Sequence, residues 1–388
     1  MYKVLTLNNI SVAGLEHLPR DQYEVASEIN HPDAILLRSF KMHDMEIPAS
    51  LKAVGRAGAG VNNIPVDKLS GLGIPVFNAP GANANAVKEL VLAGMLLASR
   101  NICQAWEFTR QIEGGDADLN KQVEAGKKMY AGFELPNRTL GVVGLGAIGR
   151  LVADMALNLG MKVIGYDPNI TVEGAWKLSS NVQKAASIEE MLPKVDFLTF
   201  HVPLVDATKN MINAERIKSM KPEAVILNFA RAGIVNDEAV AEALSAAKIH
   251  AYVCDFPSNL LKQQKNVITL PHLGASTKEA EDNCAIMVAN EIKNYLENGT
   301  VQNSVNFPEV AMDKSDGYRI SIVNSNVPNM VGQISTAMAN AGLNIVDMLN
   351  KSKGELAYTL ADVDQEIPEK VVEEIAAIDG VLAVRVIG

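Results

Sequence analysis

Residues 139–168 read TLGVVGLGAIGRLVADMALNLGMKVIGYDP, and this stretch decides the fold. The apolar run at 140–143 has the length of a buried strand. Gly144, Gly146 and Gly149 follow in the spacing G-x-G-x-x-G. They open a helical pattern whose apolar positions are Leu151, Val152, Met155, Ala156 and Leu159, with Gly160 placed to end it. A second run, 162–166, closes a βαβ unit, and Asp167 stands at its end. The spacing has a physical reading. Gly144 permits a tight turn, Gly146 lets backbone approach a pyrophosphate, and Gly149 lets helix and strand pack closely. The free N–H groups at Ala147 and Ile148 then meet the phosphate charge. Asp167 lies 18 residues beyond Gly149, where its carboxylate can accept hydrogen bonds from ribose hydroxyls. Residues 168–172 contain no Arg or Lys to receive a 2′-phosphate, so the reading is NAD rather than NADP. A Gly-rich turn alone would account for the glycines. It would not account for strand, helix, second strand and terminal acid in register.

Composition narrows the field. A chain of 388 residues is long enough for two or three domains. Its 45 acidic residues against 35 basic ones argue against a broad basic face for nucleic acid. Cys103, Cys254 and Cys284 show no metal-ligand spacing and read as buried, reduced thiols, which suits the cytoplasm. The start, MYKVLTLNN, is strand-like and lacks the regions of a signal peptide. No apolar stretch approaches membrane-spanning length.

Upstream of the fingerprint, strands are expected at 4–7, 34–37, 53–55 and 75–77, which makes a small parallel α/β domain. Polar residues stand where those strands end: Arg38 and Ser39, then Arg56 before GAGVNN, then Asn78. Ligands of open α/β sheets bind at such ends; solvated loop charges are the plainer explanation of both arginines. Residues 85–100 form a thoroughly apolar helix, expected to run between domains. Residues 101–138 read as polar and irregular, with Lys127 and Lys128 in a Gly-flanked turn of unassigned role. Downstream, strands at 195–201, 224–228, 252–255 and 267–270 alternate with helices. Residues 300–317 lack periodicity and read as a linker. The tail, 318–388, has the order βαββαβ of a ferredoxin-like domain.

Three stretches downstream supply what hydride transfer needs. In NFARAGIV, 228–235, Arg231 stands just beyond a strand, where a guanidinium can grip an α-keto acid by carboxylate and carbonyl. In PHLGAST, 271–277, His272 can take up a hydroxyl proton while hydride leaves the same carbon. In YVCDFPSN, 252–259, Asp255 ends a third strand near the nicotinamide position. Each signal alone is modest; three strand-end polar groups after a nucleotide fingerprint are hard to dismiss.

At this point the chain resembles the D-isomer-specific 2-hydroxyacid dehydrogenases. The resemblance runs through LRS at 37–39, GRAGAGVNN at 55–63, FNAPGANANAVKEL at 77–90, GVVGLGAIGR at 141–150, HVP at 201–203, NFARAGIV, PHLGAST and VNFPEV at 305–310. It implies a Rossmann-type NAD domain, 96–275, inserted into a flavodoxin-like substrate domain of residues 1–95 and 276–302. A linker at 303–317 and an ACT regulatory domain at 318–388 follow. Carried over by position, Arg231 binds the substrate and His272 is the acid/base. Arg38, Ser39 and Arg56 hold the phosphate or carboxylate, and Asn83 lines the cleft. The cofactor set is Gly144, Gly146, Ala147, Ile148, Gly149, Asp167, His201, Pro203, Ala230, Asp255 and Gly274, with Asp255 on the nicotinamide amide. Asn324, Asn326 and Asn344 fall where a related tail binds L-serine; an amide offers both donor and acceptor to an amino acid.

The family pattern also expects a Glu a few residues beyond Asp255, paired with the catalytic His. Here the segment reads FPSNLLKQQ, with Ser258 or Asn259 at that place. An Asn carbonyl can orient an imidazole but cannot stabilise imidazolium by charge. The implied reaction is NAD-dependent oxidation of 3-phosphoglycerate in a cytoplasmic homodimer or homotetramer, with L-serine as effector. Another D-2-hydroxy acid as substrate, or a non-catalytic NAD-responsive interaction role, are the alternatives.

Overall fold

Short runs of Val, Ile and Leu become parallel strands where both faces can be buried. The structure, a computed structural model, describes residues 1–315 and 317–387; Asp316 of the expected linker and Gly388 of the expected tail lie outside them. The N-terminal strands are β1 (Tyr2–Leu7), β2 (Tyr23–Ala26), β3 (Ala34–Leu37), β4 (Ala53–Arg56) and β5 (Val76–Asn78). They form one parallel sheet in the order β2-β1-β3-β4-β5. Its cover comes from far along the chain. The helix Lys278–Asn298 buries Cys284, Val288, Ile292 and Leu296 in the same core as Val4, Ala34, Leu36 and Ala53. The approach is close enough that a Cβ on Gly55 would stand 2.6 Å from Val288.

The chain divides into two compact units, Met1–Asn83 with Lys278–Gly388, and Ala84–Thr277. The first boundary therefore falls ahead of the apolar helix Ala84–Ser99, not at residue 95. Val87, Val91 and Met95 pack with Leu140, Val142, Val225 and Leu227, so this helix belongs to the second unit rather than running between domains.

The second unit holds β6 (Thr139–Val143), β7 (Lys162–Tyr166), β8 (Val182–Lys184), β9 (Phe197–Phe200), β10 (Ala224–Asn228), β11 (Ile249–Cys254) and β12 (Val267–Thr269). They are parallel in the order β12-β11-β10-β9-β6-β7-β8. The direction of winding reverses between β6 and β9, which makes their carboxyl ends the crevice of the sheet. Between the units' sheets in sequence, residues 101–138 are more ordered than expected. They carry helices Ile102–Arg110 and Asp116–Gly126 and a 3₁₀ turn Lys127–Tyr130. The first of these helices fully buries no residue, and Ile102 and Trp106 stay exposed. Lys127 makes an exposed ion pair with Glu124.

The tail contributes β13 (Tyr318–Ser325), β14 (Ile345–Lys353), β15 (Leu356–Val363) and β16 (Val381–Ile387), with helices Met330–Asn340 and Glu369–Ala376. The antiparallel sheet β14-β15-β13-β16 has the expected βαββαβ order. The tail is not a separate unit, however. Tyr358, Leu360 and Ile387 share a core with Phe77, Ile292, Tyr295 and Phe307, and the Tyr358 hydroxyl donates to the Gly299 carbonyl at 2.7 Å.

The expected linker is likewise pinned over much of its length. Val301 bridges Val310 and Ser304 bridges Phe77. The Asn306 side chain accepts from Val76 N at 2.8 Å and donates to Ile74 O and Ser70 Oγ, each at 3.0 Å. Phe307 and Val310 are buried. Among the described residues no helix is long and apolar enough to cross a membrane.

Candidate active site

The glycine loop adopts the geometry its spacing requires. Gly144 sits at φ +88°, and a Cβ there would meet the His201 carbonyl at 2.5 Å. A Cβ on Gly149 would lie 1.9 Å from the Gly144 carbonyl. Gly146 caps the helix Ala147–Asn158 with open space around its Cα, so nothing obstructs an approach to the Ala147 and Ile148 amides. Asp167 holds the loop: Oδ2 accepts from Leu145 N at 2.8 Å and Oδ1 from Asn169 N at 2.9 Å. Each oxygen keeps a lone pair for a ribose hydroxyl.

His201, at the end of β9, has its ring Nδ1 buried although the residue is partly exposed. Burial pushes its imidazole down to about 3, so it stays neutral. Nε2 meets Thr199 Oγ1 at 3.2 Å, and the buried Nδ1 has no partner among the described residues. Pro203 is exposed two residues on. A cradle that side chains would fill, an open helix start and a buried imidazole seeking a partner all fit a dinucleotide.

Two loops further along the sheet edge carry Arg231 and His272, and each is braced by a buried side chain. Asn228, at the end of β10, donates to the Arg231 carbonyl at 2.9 Å and accepts from Ala230 N at 3.2 Å. It is 1% exposed. The Arg231 guanidinium donates to the Ala230 carbonyl at 2.7 Å and is half-buried. Asp255, beyond β11, is equally buried. Its Oδ1 accepts from Leu273 N at 2.8 Å and its Oδ2 from Gly274 N at 2.9 Å, while its carbonyl accepts from His272 N at 3.1 Å.

Asp255 thus clamps the loop that presents His272. His272 itself is exposed and sits at φ +53°, a left-handed conformation uncommon for a residue with a side chain. Its ring stands edge-on to Phe256, centroids 5.1 Å apart. Among the described residues the imidazole has no hydrogen-bond partner. Asn259 is exposed and Ser258 Oγ instead caps Leu261 N, so neither takes the place of the paired Glu. The bracing roles of Asn228 and Asp255 were not among the expectations. Their partners are loop amides that only the folded chain brings near.

In the first unit, Arg38, Ser39 and Arg56 gather at the ends of β3 and β4. Asn8, beyond β1, accepts from Ser39 N at 3.2 Å and so orients the serine; sequence reading passed over it. Arg56 Nε donates to the Arg38 carbonyl at 3.1 Å, and its guanidinium lies where a Cβ on Gly58 would be, 2.2 Å from Nη1. Arg38 pairs with Glu281 at 2.7 Å. The Asn83 side-chain oxygen is buried with no partner among the described residues.

The three tail asparagines do not come together. Asn324 pairs with Ala357 near one end of the sheet, and Asn326 donates to the Gly354 carbonyl there at 3.1 Å. Asn344 precedes Ile345, whose partner is Val363 at the other end, roughly 20 Å away by strand rise. Asn324 is buried with its side-chain oxygen unpartnered, while Asn326 and Asn344 are exposed.

Residues 93–274 match the family model described as D-isomer specific 2-hydroxyacid dehydrogenase, NAD binding domain. Over 349 residues the chain is 36% identical to D-3-phosphoglycerate dehydrogenase of Methanocaldococcus jannaschii, covering 88% of this chain and 63% of that one. It is 32% identical to D-3-phosphoglycerate dehydrogenase of Haemophilus influenzae over 355 residues, covering 88% and 83%. The solved NAD+-bound 3-phosphoglycerate dehydrogenase of Entamoeba histolytica superposes with a TM-score of 0.62 at 26% identity, over 79% of this chain and 98% of the other. The chain thus spans less than two thirds of the archaeal relative and most of the Haemophilus one. On a fingerprint with its cradle, two braced loops and these matches, the chain belongs to the D-isomer-specific 2-hydroxyacid dehydrogenase family.

Proposed function

We propose that this chain is an NAD-dependent dehydrogenase that oxidises D-3-phosphoglycerate to 3-phosphohydroxypyruvate, the opening step of L-serine biosynthesis, in the cytoplasm. The observation that carries the reading is the pair of loops braced by Asn228 and Asp255, which hold a guanidinium and an imidazole at the carboxyl edge of a nucleotide-binding sheet. When bound at the glycine loop, NAD supplies the acceptor for the hydride leaving C2. Arg231 grips the C1 carboxylate and the C2 oxygen, and its charge favours the developing carbonyl. The His272 imidazole takes the C2 hydroxyl proton and returns it in the reverse direction. Among the described residues no carboxylate pairs with that imidazole, so its orientation comes from the Asp255 clamp and the Phe256 edge. Arg38, Ser39 and Arg56, at the ends of the first unit's strands, hold the phosphate, and Asn83 offers its unpartnered oxygen to the substrate.

The tail acts as an ACT-type effector domain for L-serine. The separation of Asn344 from Asn324 and Asn326 favours a site made between two copies, Asn344 of one tail facing Asn324 and Asn326 of another, which makes the working form a homodimer or homotetramer. NAD reduction is assayed with 3-phosphoglycerate, D-glycerate and D-lactate, each with and without serine. Turnover on 3-phosphoglycerate that His272→Ala abolishes supports the reading. Turnover only on an unphosphorylated acid replaces the substrate, and NAD binding without turnover on any of them leaves an interaction role.

A further inference from the structure

The two cations assigned to the phosphate are held differently. Arg56 is fixed through Nε to the Arg38 carbonyl and lies over Gly58. The Arg38 guanidinium instead meets Glu281 Oε1 at 2.7 Å, a carboxylate from the first turn of the helix Lys278–Asn298. The two side chains are 35% and 44% exposed, so the pair is reachable from solvent. Cys284, one turn along the same helix, reports the local field. Burial pushes its thiol up, Arg56 and Arg38 draw it down, and Glu281 pushes it up again. Both guanidiniums therefore act on the helix face from which Glu281 projects.

We propose that Glu281 is a built-in anion that occupies Arg38 until the phosphate of a substrate displaces it. The inference rests on the reading that Arg38 and Arg56 are the phosphate ligands. Displacing Glu281 costs every incoming anion the same factor, and an ion pair this exposed is weak, within about fivefold in an equilibrium constant. A free anion has no second anchor to offset that factor. A substrate also gripped by its carboxylate binds in its working range regardless. Glu281 thus raises the concentration at which inorganic phosphate blocks the site.

The test uses the full chain, steady-state oxidation of 3-phosphoglycerate and inorganic phosphate as the competing probe, at low ionic strength. Glu281→Gln keeps the shape and removes the charge. It should lower the inhibition constant of phosphate about three- to fivefold and the KM for 3-phosphoglycerate by a similar factor. Both effects should shrink as KCl rises and screens the pair. Glu281→Asp, which keeps the charge at the helix start but is one methylene shorter, should fall between. Equal phosphate inhibition in wild type and Glu281→Gln overturns the proposal. Arg38→Ala separates this from the reading beneath it. If that variant leaves KM and phosphate inhibition unchanged, Arg38 is no phosphate ligand. If Arg38 matters and Glu281 does not, the displaced-anion idea alone fails.

Discussion

Two arginine–carboxylate pairs in the first unit have the same chemistry and opposite consequences. Arg319 and Asp362 are 0% and 1% exposed, bound in parallel at 2.6 and 2.9 Å. The remaining Arg319 donors reach the carbonyls of Asn298, Met312 and Asp313, at 3.1, 3.0 and 2.8 Å. An arginine with every donor used in a dry setting is part of the scaffold, tying β13 and β15 to the chain segments beneath the tail. Among the described residues Arg38 has one carboxylate partner, in water's reach. Solvation separates the two: the dry pair holds the fold, and the wet one leaves its guanidinium within reach of a ligand.

The sharpest way to break this contrast is to strand the buried guanidinium. Asp362→Ala should cost about 3–5 kcal/mol of unfolding free energy, read by chemical denaturation; a loss under about 1 kcal/mol would place both pairs in one class. For the exposed groups the effect should move from stability to turnover. His272→Ala should lower kcat about 10²- to 10⁴-fold while changing unfolding free energy by no more than about 0.5 kcal/mol. Retained turnover would remove the imidazole from the mechanism.

Next in size, Arg38→Ala should raise the KM for 3-phosphoglycerate roughly 10- to 100-fold, the worth of a charge-assisted hydrogen bond, with similarly little change in stability. An unfolding midpoint that drops as far as in Asp362→Ala would contradict the distinction.

A buried carboxylate without such a partner sharpens it further. Glu291 is 5% exposed, and among the described residues it has no arginine partner and Asn303 Nδ2 alone reaches it, at 2.7 Å. Burial pushes its carboxyl from the ordinary 4.5 up to about 8, with the Asn303 bond opposing. The unfolded chain therefore releases this proton first. Stability should fall by about 1.4 kcal/mol per pH unit between the ordinary value and the raised one, and be flat in this respect below and above that window. Unfolding of Glu291→Gln measured at pH 5, 6.5 and 8 should lack that slope; a slope unchanged from wild type would mean Glu291 ionises normally.

How much of this could be read from the chain alone depended on whether the determinant is local. Gly144, Gly146, Gly149 and Asp167 were legible because a tight turn, an open helix start and a strand-end acid are properties of one βαβ unit, although the hold of Asp167 on Leu145 N was not foreseen. The strand ends that carry Arg231, His272 and Arg38 followed from apolar runs buried on both faces. The edge strands β2 and β8 were missed: each is short and lacks such a run, β2 burying only Tyr23 and β8 no residue. The helix Ile102–Arg110 was missed because no residue of it is fully buried and its large apolar side chains Ile102 and Trp106 face solvent. Asn228 and Asp255 were in view as motif letters, but their task is to hold backbone amides that only folding delivers. Glu281 offered no signal at all, since its partner lies more than two hundred residues away.

The stitched segment around Asn306 has a mechanical meaning. A tail on a slack tether could rearrange without the rest of the chain feeling it. Here the joint is anchored to Val76 and Phe77, and their strand lies directly beside the one ending in Arg56. Torque applied to the tail would therefore reach the strand next to Arg56, the residue proposed above to hold the phosphate. Splicing a few glycines after Val310 would add that slack, and a serine effect on KM that survived the splice would show that the signal travels by another route.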